Sequence, residues 1–214
     1  MNASFSSPDV IVFDFDGTIV NSMEAFADIA SSVMPKHLPI DSKEARRLYL
    51  QTSGLPFFQQ LELLFPGDPK NKATAEEFEK AKREGYLKKP LFDDALSTLS
   101  TLRQKGIAVA ISSNNFQTLV EEYLHHVGFT CDLVMGYREN FEKGEAHFAC
   151  AEKTFQISRS HMTFVGDSLQ DGKRAKEARV PFIAKTGTFE RKEFQTRFPG
   201  VPVISTLSEL TTIF

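Results

Sequence analysis

An α/β fold is predicted here: a parallel sheet covered by helices on both faces, with an all-helical block inserted after its first strand. Three observations predict it. From Pro90 onward, short apolar runs alternate with helix-length segments, as strands joined by crossover helices do. The first run, Val10-Ile11-Val12-Phe13, is apolar on both faces, as a central parallel strand is. Between these regions, residues of roughly 19–88 read as helix and loop only.

The helical block justifies itself element by element. Asn21 or Ser22 caps a helix expected to run to about Met34, and Asp41 caps a second to about Leu50. Gly54-Leu55-Pro56 punctuates, with Pro56 suited to the first turn of a helix reaching Leu64. Phe65-Pro66-Gly67-Asp68-Pro69 is a loop by its breakers. Thr74-Ala75-Glu76-Glu77 reads as a capping box opening a helix to about Leu87.

Past Pro90, Asp93 or Asp94 starts a helix ending near Gly106, and Ile107-Ala108-Val109-Ala110-Ile111 is a buried strand. A helix from Gln117 to Val127 is stopped by Gly128. Strands at Leu133-Val134-Met135, Met162-Thr163-Phe164-Val165 and Phe182-Ile183-Ala184 alternate with helices from Glu145 to Phe155 and from Ser168 to Ala178. Val201-Pro202-Val203-Ile204 is expected at a sheet edge because of its proline, with a last short helix capped by Ser205 or Ser208.

Composition narrows the function classes. A net charge of −3 gives no electrostatic case for nucleic acid or an anionic membrane as the main partner. No run approaches the roughly 20 apolar residues of a membrane span. Met1 to Pro8 are polar and lack an apolar core, so no signal peptide is expected there. Cys131 and Cys150 stand in no metal or redox spacing, which fits a reducing compartment. A cytoplasmic location is expected.

Three strand ends carry chemistry. The first run ends in Asp14-Phe15-Asp16-Gly17-Thr18, two carboxylates one residue apart, which alternation along an extended chain places on one side. Asp and Gly after a strand are also ordinary turn residues, so the pair alone does not define a site. Ile111 is followed by Ser112-Ser113-Asn114, and Val165 by Gly166-Asp167-Ser168-Leu169-Gln170-Asp171. In a parallel sheet these ends share one edge, where ligands bind. Asp171 follows Asp167 by four residues, so both fit one face of the opening helical turn. Lys143 and Gly144 precede the helix between the second and third ends.

These motifs resemble those of the haloacid dehalogenase-like (HAD) hydrolase superfamily, over nearly the whole chain. The helical block and Gly54-Leu55-Pro56 resemble the cap of its phosphoglycolate phosphatase-like and beta-phosphoglucomutase-like branch. The resemblance implies a Rossmann-like doubly wound parallel sheet with an inserted all-helical cap domain: residues 1–18 and 89–214 as the core, 19–88 as the cap. The chain departs from the pattern in Lys143-Gly144, where Lys-Pro is common, and in Asn21-Ser22, where Asp-Ser is common. Lys153 is the other candidate for the motif lysine.

The implied activity is Mg²⁺-dependent hydrolysis of a small phosphorylated metabolite, by a monomer or homodimer. Asp14 is the implied nucleophile, forming an aspartyl-phosphate. Asp16 is the implied proton carrier, which requires a carboxyl tuned upward. Asp14, Asp167 and the backbone carbonyl of Asp16 are the implied metal ligands. Lys143 balances charge and, with Ser112, Ser113 and Asn114, holds the phosphate. Ser112 is the first choice, and Ser113 replaces it if the strand ends one residue later. Asp171 is expected to orient Lys143 or a metal-bound water. His125, His126, His147 and His161 are expected in packing or on the surface, and Arg46 and Arg47 on a solvated face. A phosphomutase shares the same core, a phosphonatase would need a cap lysine such as Lys36 or Lys43, and a catalytically silent binding module is the reading from another class.

Overall fold

The computed structural model describes residues 7–214, so most of the Met1 to Pro8 segment, read above as no signal peptide, lies outside the described residues. Val10–Phe13 forms β1, every residue buried. It pairs in parallel with β2 (Ala108–Phe116) on one side and β4 (Met162–Gly166) on the other. β3 (Leu133–Tyr137), β5 (Phe182–Lys185) and β6 (Val203–Ile204) complete a six-stranded parallel sheet in the order β3-β2-β1-β4-β5-β6. The order reverses between β1 and β4, the switch point beyond which open α/β sheets bind ligands. Phe13 lies opposite both Ile111 and Val165, so the chemistry-bearing strand ends emerge at one level.

Alternation divides the sheet's side chains between two cores. Ile11, Phe13, Val109, Ile111 and Val165 face one, while Val10, Val12, Ala110 and Phe164 face the other. Helices α5 (Ala95–Gln104), α6 (Gln117–His126), α7 (Glu145–Phe155), α8 (Leu169–Ala178), α9 (Arg191–Arg197) and α10 (Leu210–Ile213) connect or follow the strands.

Between β1 and β2 the chain forms α1 (Met23–His37), α2 (Ser42–Gln51), α3 (Phe57–Leu64), α4 (Asn71–Gly85) and a 3₁₀ turn, Tyr86–Lys88. Tyr49, Phe57 and Phe78 fasten α2, α3 and α4 together, with the Phe57 and Phe78 rings 3.9 Å apart. Each such buried ring contributes roughly 1.5–3 kcal/mol. A second chain of rings ties this insertion to the sheet: Phe26 stacks on Tyr86, Tyr86 meets Tyr123 of α6, and Tyr123 meets Phe15.

Several boundaries differ from expectation. The α1 helix continues past Met34 to His37 with Pro35 in its last turn. The α4 helix opens at Asn71, because Asp68 accepts the Lys70 amide there; Thr74 lies inside it, its hydroxyl donating to the Lys70 carbonyl. Strand β2 runs past Ile111 to Phe116. The α9 helix was not expected; of its seven residues only Phe194 is buried, too weak a pattern to read. β6 is an edge strand, starting after Pro202 as the missing proline N–H requires. Among the described residues, no helix is long and apolar enough to cross a membrane.

Candidate active site

Asp14 is the first residue past β1, and its amide continues the ladder by donating to the Val165 carbonyl at 2.8 Å. Its buried carboxylate has two partners. Lys143 Nζ donates to Oδ1 at 2.5 Å and the Thr18 hydroxyl to Oδ2 at 3.0 Å. Lys143 is itself buried and forms a second ion pair, 2.6 Å from Asp171 Oδ1. Asp171 is fixed by a capping box at the start of α8, its Oδ2 accepting from the Ser168 hydroxyl at 2.6 Å. Asp167 is buried beside them and accepts from the Thr188 hydroxyl. Gly17 has φ +84°, and a Cβ there would meet Asp167 Oδ2 at 2.0 Å. Only glycine lets the turn after Asp16 pass so close.

Asp16 sits in a different setting. Its Oδ1 accepts from the Ser22 hydroxyl at 2.6 Å and the Tyr86 hydroxyl at 3.0 Å, and its Oδ2 from Asn115 Nδ2 at 2.6 Å. Ser22, expected as a helix cap, makes no cap bond and serves this carboxylate instead. Burial pushes the Asp16 carboxyl up to about 6, against the opposing pull of the Ser22 hydroxyl and the Lys82 charge. Burial also raises Asp14, eased by Lys143 and reinforced by Asp171. It raises Asp167 well above the usual range, with Asp14 and Asp171 adding to the effect. For Lys143, burial works downward, but Asp14 and Asp171 more than offset it and the net shift is upward.

Asp14, Asp167 and Asp171 each bring one carboxylate oxygen within 4.8 Å of the others. Of the three buried carboxylates, Lys143 bonds Asp14 and Asp171, and Arg174 lies 3.9 Å from Asp171, but among the described residues Asp167 has no cation at hydrogen-bond distance, and burying such a charge is costly. The donors are all oxygen, the set a hard divalent cation takes. The residues present therefore fit Mg²⁺.

A cavity of about 110 Å³ opens above this cluster, between the sheet edge and the helical insertion. Asp14, Asp16, Lys143, Asp167 and Asp171 border it. Ser113 borders it too, buried within β2. Ser112 does not, a correction to its first place among the phosphate ligands. Its side chain points to the other face of β2, where its hydroxyl shares a 2.8 Å hydrogen bond with buried His147 Nδ1. Burial pushes His147 down to about 3, so the ring is neutral. Asn114 reaches the cavity wall, but its amide donates to the Gly54 carbonyl at 2.8 Å, where Arg174 also donates at 2.6 Å. The two donors hold the insertion's loop onto the core. Lys153 is exposed on α7, remote in character from the buried cluster that Lys143 joins. Arg46 pairs with Glu24 and Asp28, and Arg47 with Glu44, on the insertion's outer surface.

A model of the haloacid dehalogenase-like hydrolase family matches residues 11–185. The chain belongs to that family. Curated relatives include a phosphoglycolate phosphatase of Synechococcus elongatus, 23% identical over 201 residues and aligned over 86% of each chain. Another, of Rhodobacter capsulatus, is 23% identical over 189 residues and aligned over 85% of each. A solved haloacid dehalogenase-like family hydrolase of Streptococcus pneumoniae superposes with a TM-score of 0.79 at 18% identity, covering 97% of this chain and 99% of the other. The six-stranded sheet with helices on both faces is thus the fold of haloacid dehalogenase-like hydrolases.

Sequence reasoning missed three groups that complete the site. Asn115 follows a motif already read and was one residue from inclusion. Tyr86 and Thr188 lie 70 and 21 residues from the aspartates they serve, and no local pattern marks them.

Proposed function

We propose that this chain is a Mg²⁺-dependent phosphatase that hydrolyses small phosphate monoesters through an aspartyl-phosphate on Asp14. The observation that carries the reading is the contrast between two neighbouring aspartates. Burial raises both carboxyls, but Asp14 borders the cavity in an ion pair with Lys143, whereas Asp16, raised to about 6, is hydrogen-bonded by the neutral donors Ser22, Tyr86 and Asn115. One environment favours a carboxylate nucleophile and the other a carboxyl that exchanges protons near neutral pH. The names of the two curated relatives support phosphate-ester hydrolysis.

Asp14 attacks phosphorus as the bond to the ester oxygen breaks, and protonated Asp16 gives that oxygen its proton. The alcohol leaves. Asp16, now a carboxylate, takes a proton from water as the water oxygen attacks phosphorus. The bond to Asp14 breaks, releasing inorganic phosphate and restoring both residues. Lys143 and Ser113 hold the phosphoryl oxygens. Asp14, Asp167 and the Asp16 carbonyl would hold Mg²⁺, which when bound would offset the charge of nucleophile and phosphate. Residues 19–88 act as a cap over the core formed by 1–18 and 89–214, excluding water and bulky esters.

The test is phosphate release from a panel of small phosphate esters with Mg²⁺, before and after chelation. Asp14→Asn abolishes release on this reading. Turnover that survives the substitution refutes the assigned nucleophile.

A further inference from the structure

We infer that the cap selects a short hydroxylic leaving group, and that the Glu79–Lys82 pair reads its hydroxyl while turning carboxylates away; this rests on the phosphatase reading above. Glu79 and Lys82 are one turn apart on α4 and both border the cavity. Lys82 Nζ lies 2.7 Å from Glu79 and 5.7 Å above the rings of both Phe26 and Phe78. The lysine side chain is only 9% exposed. Lysine is rarely so buried, and a buried ion pair is weak support for stability.

Two other polar cap side chains border this wall: Tyr49, a buried neutral phenol, and Gln60, which is already committed. Gln60 donates to the Leu55 carbonyl and accepts from Thr52. Among the described residues, Lys82 is the one cation and Glu79 the one anion that the cap brings to the cavity. An ammonium has three donors and a carboxylate about four acceptor sites, so both keep capacity beyond their mutual bond. A ligand hydroxyl uses both, accepting from Lys82 and donating to Glu79. A ligand carboxylate only accepts, and it meets the charge of Glu79 at the same place. Like charge so placed discriminates against the wrong ligand.

Size sets the reach. At about 110 Å³ the cavity is well below the roughly 300–1,000 Å³ of sites that take drug-sized ligands, so it suits a small ester. The phosphoryl group takes part of that space. What remains suits a leaving group of two to four carbons with one hydroxyl, the ester of a short polyol. The phosphate is held at the core end by Asp14, Lys143 and Ser113, so the hydroxyl is the end that meets the cap.

The experiment compares kcat/KM for three esters of similar size: 2-hydroxyethyl phosphate, phosphoglycolate and propyl phosphate, each with Mg²⁺. The expected result is a preference for 2-hydroxyethyl phosphate over phosphoglycolate of roughly tenfold or more, about 1.4 kcal/mol of discrimination. Glu79→Gln moves that ratio toward phosphoglycolate by a similar factor. A wild-type enzyme that hydrolyses phosphoglycolate as well as the hydroxyethyl ester overturns the inference, and this arm needs no variant to fold. Phosphate release from all three without preference overturns it while leaving the phosphatase reading in place. Release from none removes both.

Discussion

Replacing Asp16 with asparagine is expected to stabilise the metal-free protein while abolishing its turnover, and the size of the gain follows from the site. Burial raises the Asp16 carboxyl from 3.8 to about 6. That difference corresponds to roughly 3 kcal/mol at about 1.36 kcal/mol per pH unit. The folded carboxyl titrates above its unfolded value, so the folded state holds the extra proton between about pH 4 and pH 6. Stability therefore falls as pH rises through that window, and the whole cost stands above it. Asp16→Asn removes the charge that burial penalises, and the new amide keeps an acceptor for Ser22 and Tyr86. Its nitrogen faces Asn115, whose amide must turn to present oxygen, and Asp16 is half-buried rather than sealed. Discounted for both, the gain is about 1–3 kcal/mol at pH 7.5 and close to zero at pH 4. Urea unfolding of both proteins in chelator at the two pH values measures it. A variant less stable than wild type at pH 7.5, or a difference equal at both pH values, refutes the reasoning.

Lys143→Met strands Asp14 and Asp171 as buried charges; a loss of about 3–5 kcal/mol is expected, read by urea midpoint, with turnover down by about 10²–10³. Ser113→Ala lowers kcat/KM for phosphate release, whereas Ser112→Ala acts on stability and leaves KM in place, because its hydroxyl faces His147 rather than the cavity. Gly54→Ala places a Cβ 2.2 Å from Ser168 Oγ at a backbone φ of +88°. It is expected to lift the cap loop off Asn114 and Arg174, seen as faster hydrogen exchange at the loop and a higher KM. Tyr86→Phe removes a donor that holds Asp16 down, so the alkaline limb of the kcat/KM profile moves to higher pH.

What was legible in the chain follows from what is costly to bury. Asp14, Asp16 and Asp167 stand out because each follows an apolar run whose strand leaves them at the sheet edge. Lys143 was readable as their counter-charge, but only once three carboxylates had been placed. Ser112 and Ser113 show where such reading stops. Strand side chains alternate, so a shift of one residue exchanges the cavity face for the opposite one. Strand β2 runs to Phe116 instead of ending at Ile111, and nothing in Ser-Ser-Asn-Asn says which serine points where. Thr74 misled for a related reason. Its sequence matches a capping box, but Asp68 and Lys70 start the turn earlier and leave Thr74 inside the helix. Asn115, Tyr86, Thr188 and Lys82 act through tertiary packing, which local periodicity does not encode.

The donors around Asp16 give the helical insertion a part in the chemistry beyond covering it. Ser22 stands where the chain enters the insertion, Tyr86 where it returns, and Asn115 on strand β2. Two of the three donors thus belong to the two crossings between insertion and sheet. Tyr86 is also the ring that joins Phe26 of α1 to Tyr123 of α6. Any motion of the insertion that separates those rings shifts Tyr86 from Asp16 and lets water reach the carboxyl. Water removes the burial that raises Asp16, so opening the cap would lower the fraction of the carboxyl that holds a proton. Closure would restore the desolvation, which outweighs the opposing pull of the Ser22 and Tyr86 donors. On the proposed mechanism, a ligand that favoured the closed cap would therefore also favour the protonated Asp16 that its leaving oxygen needs.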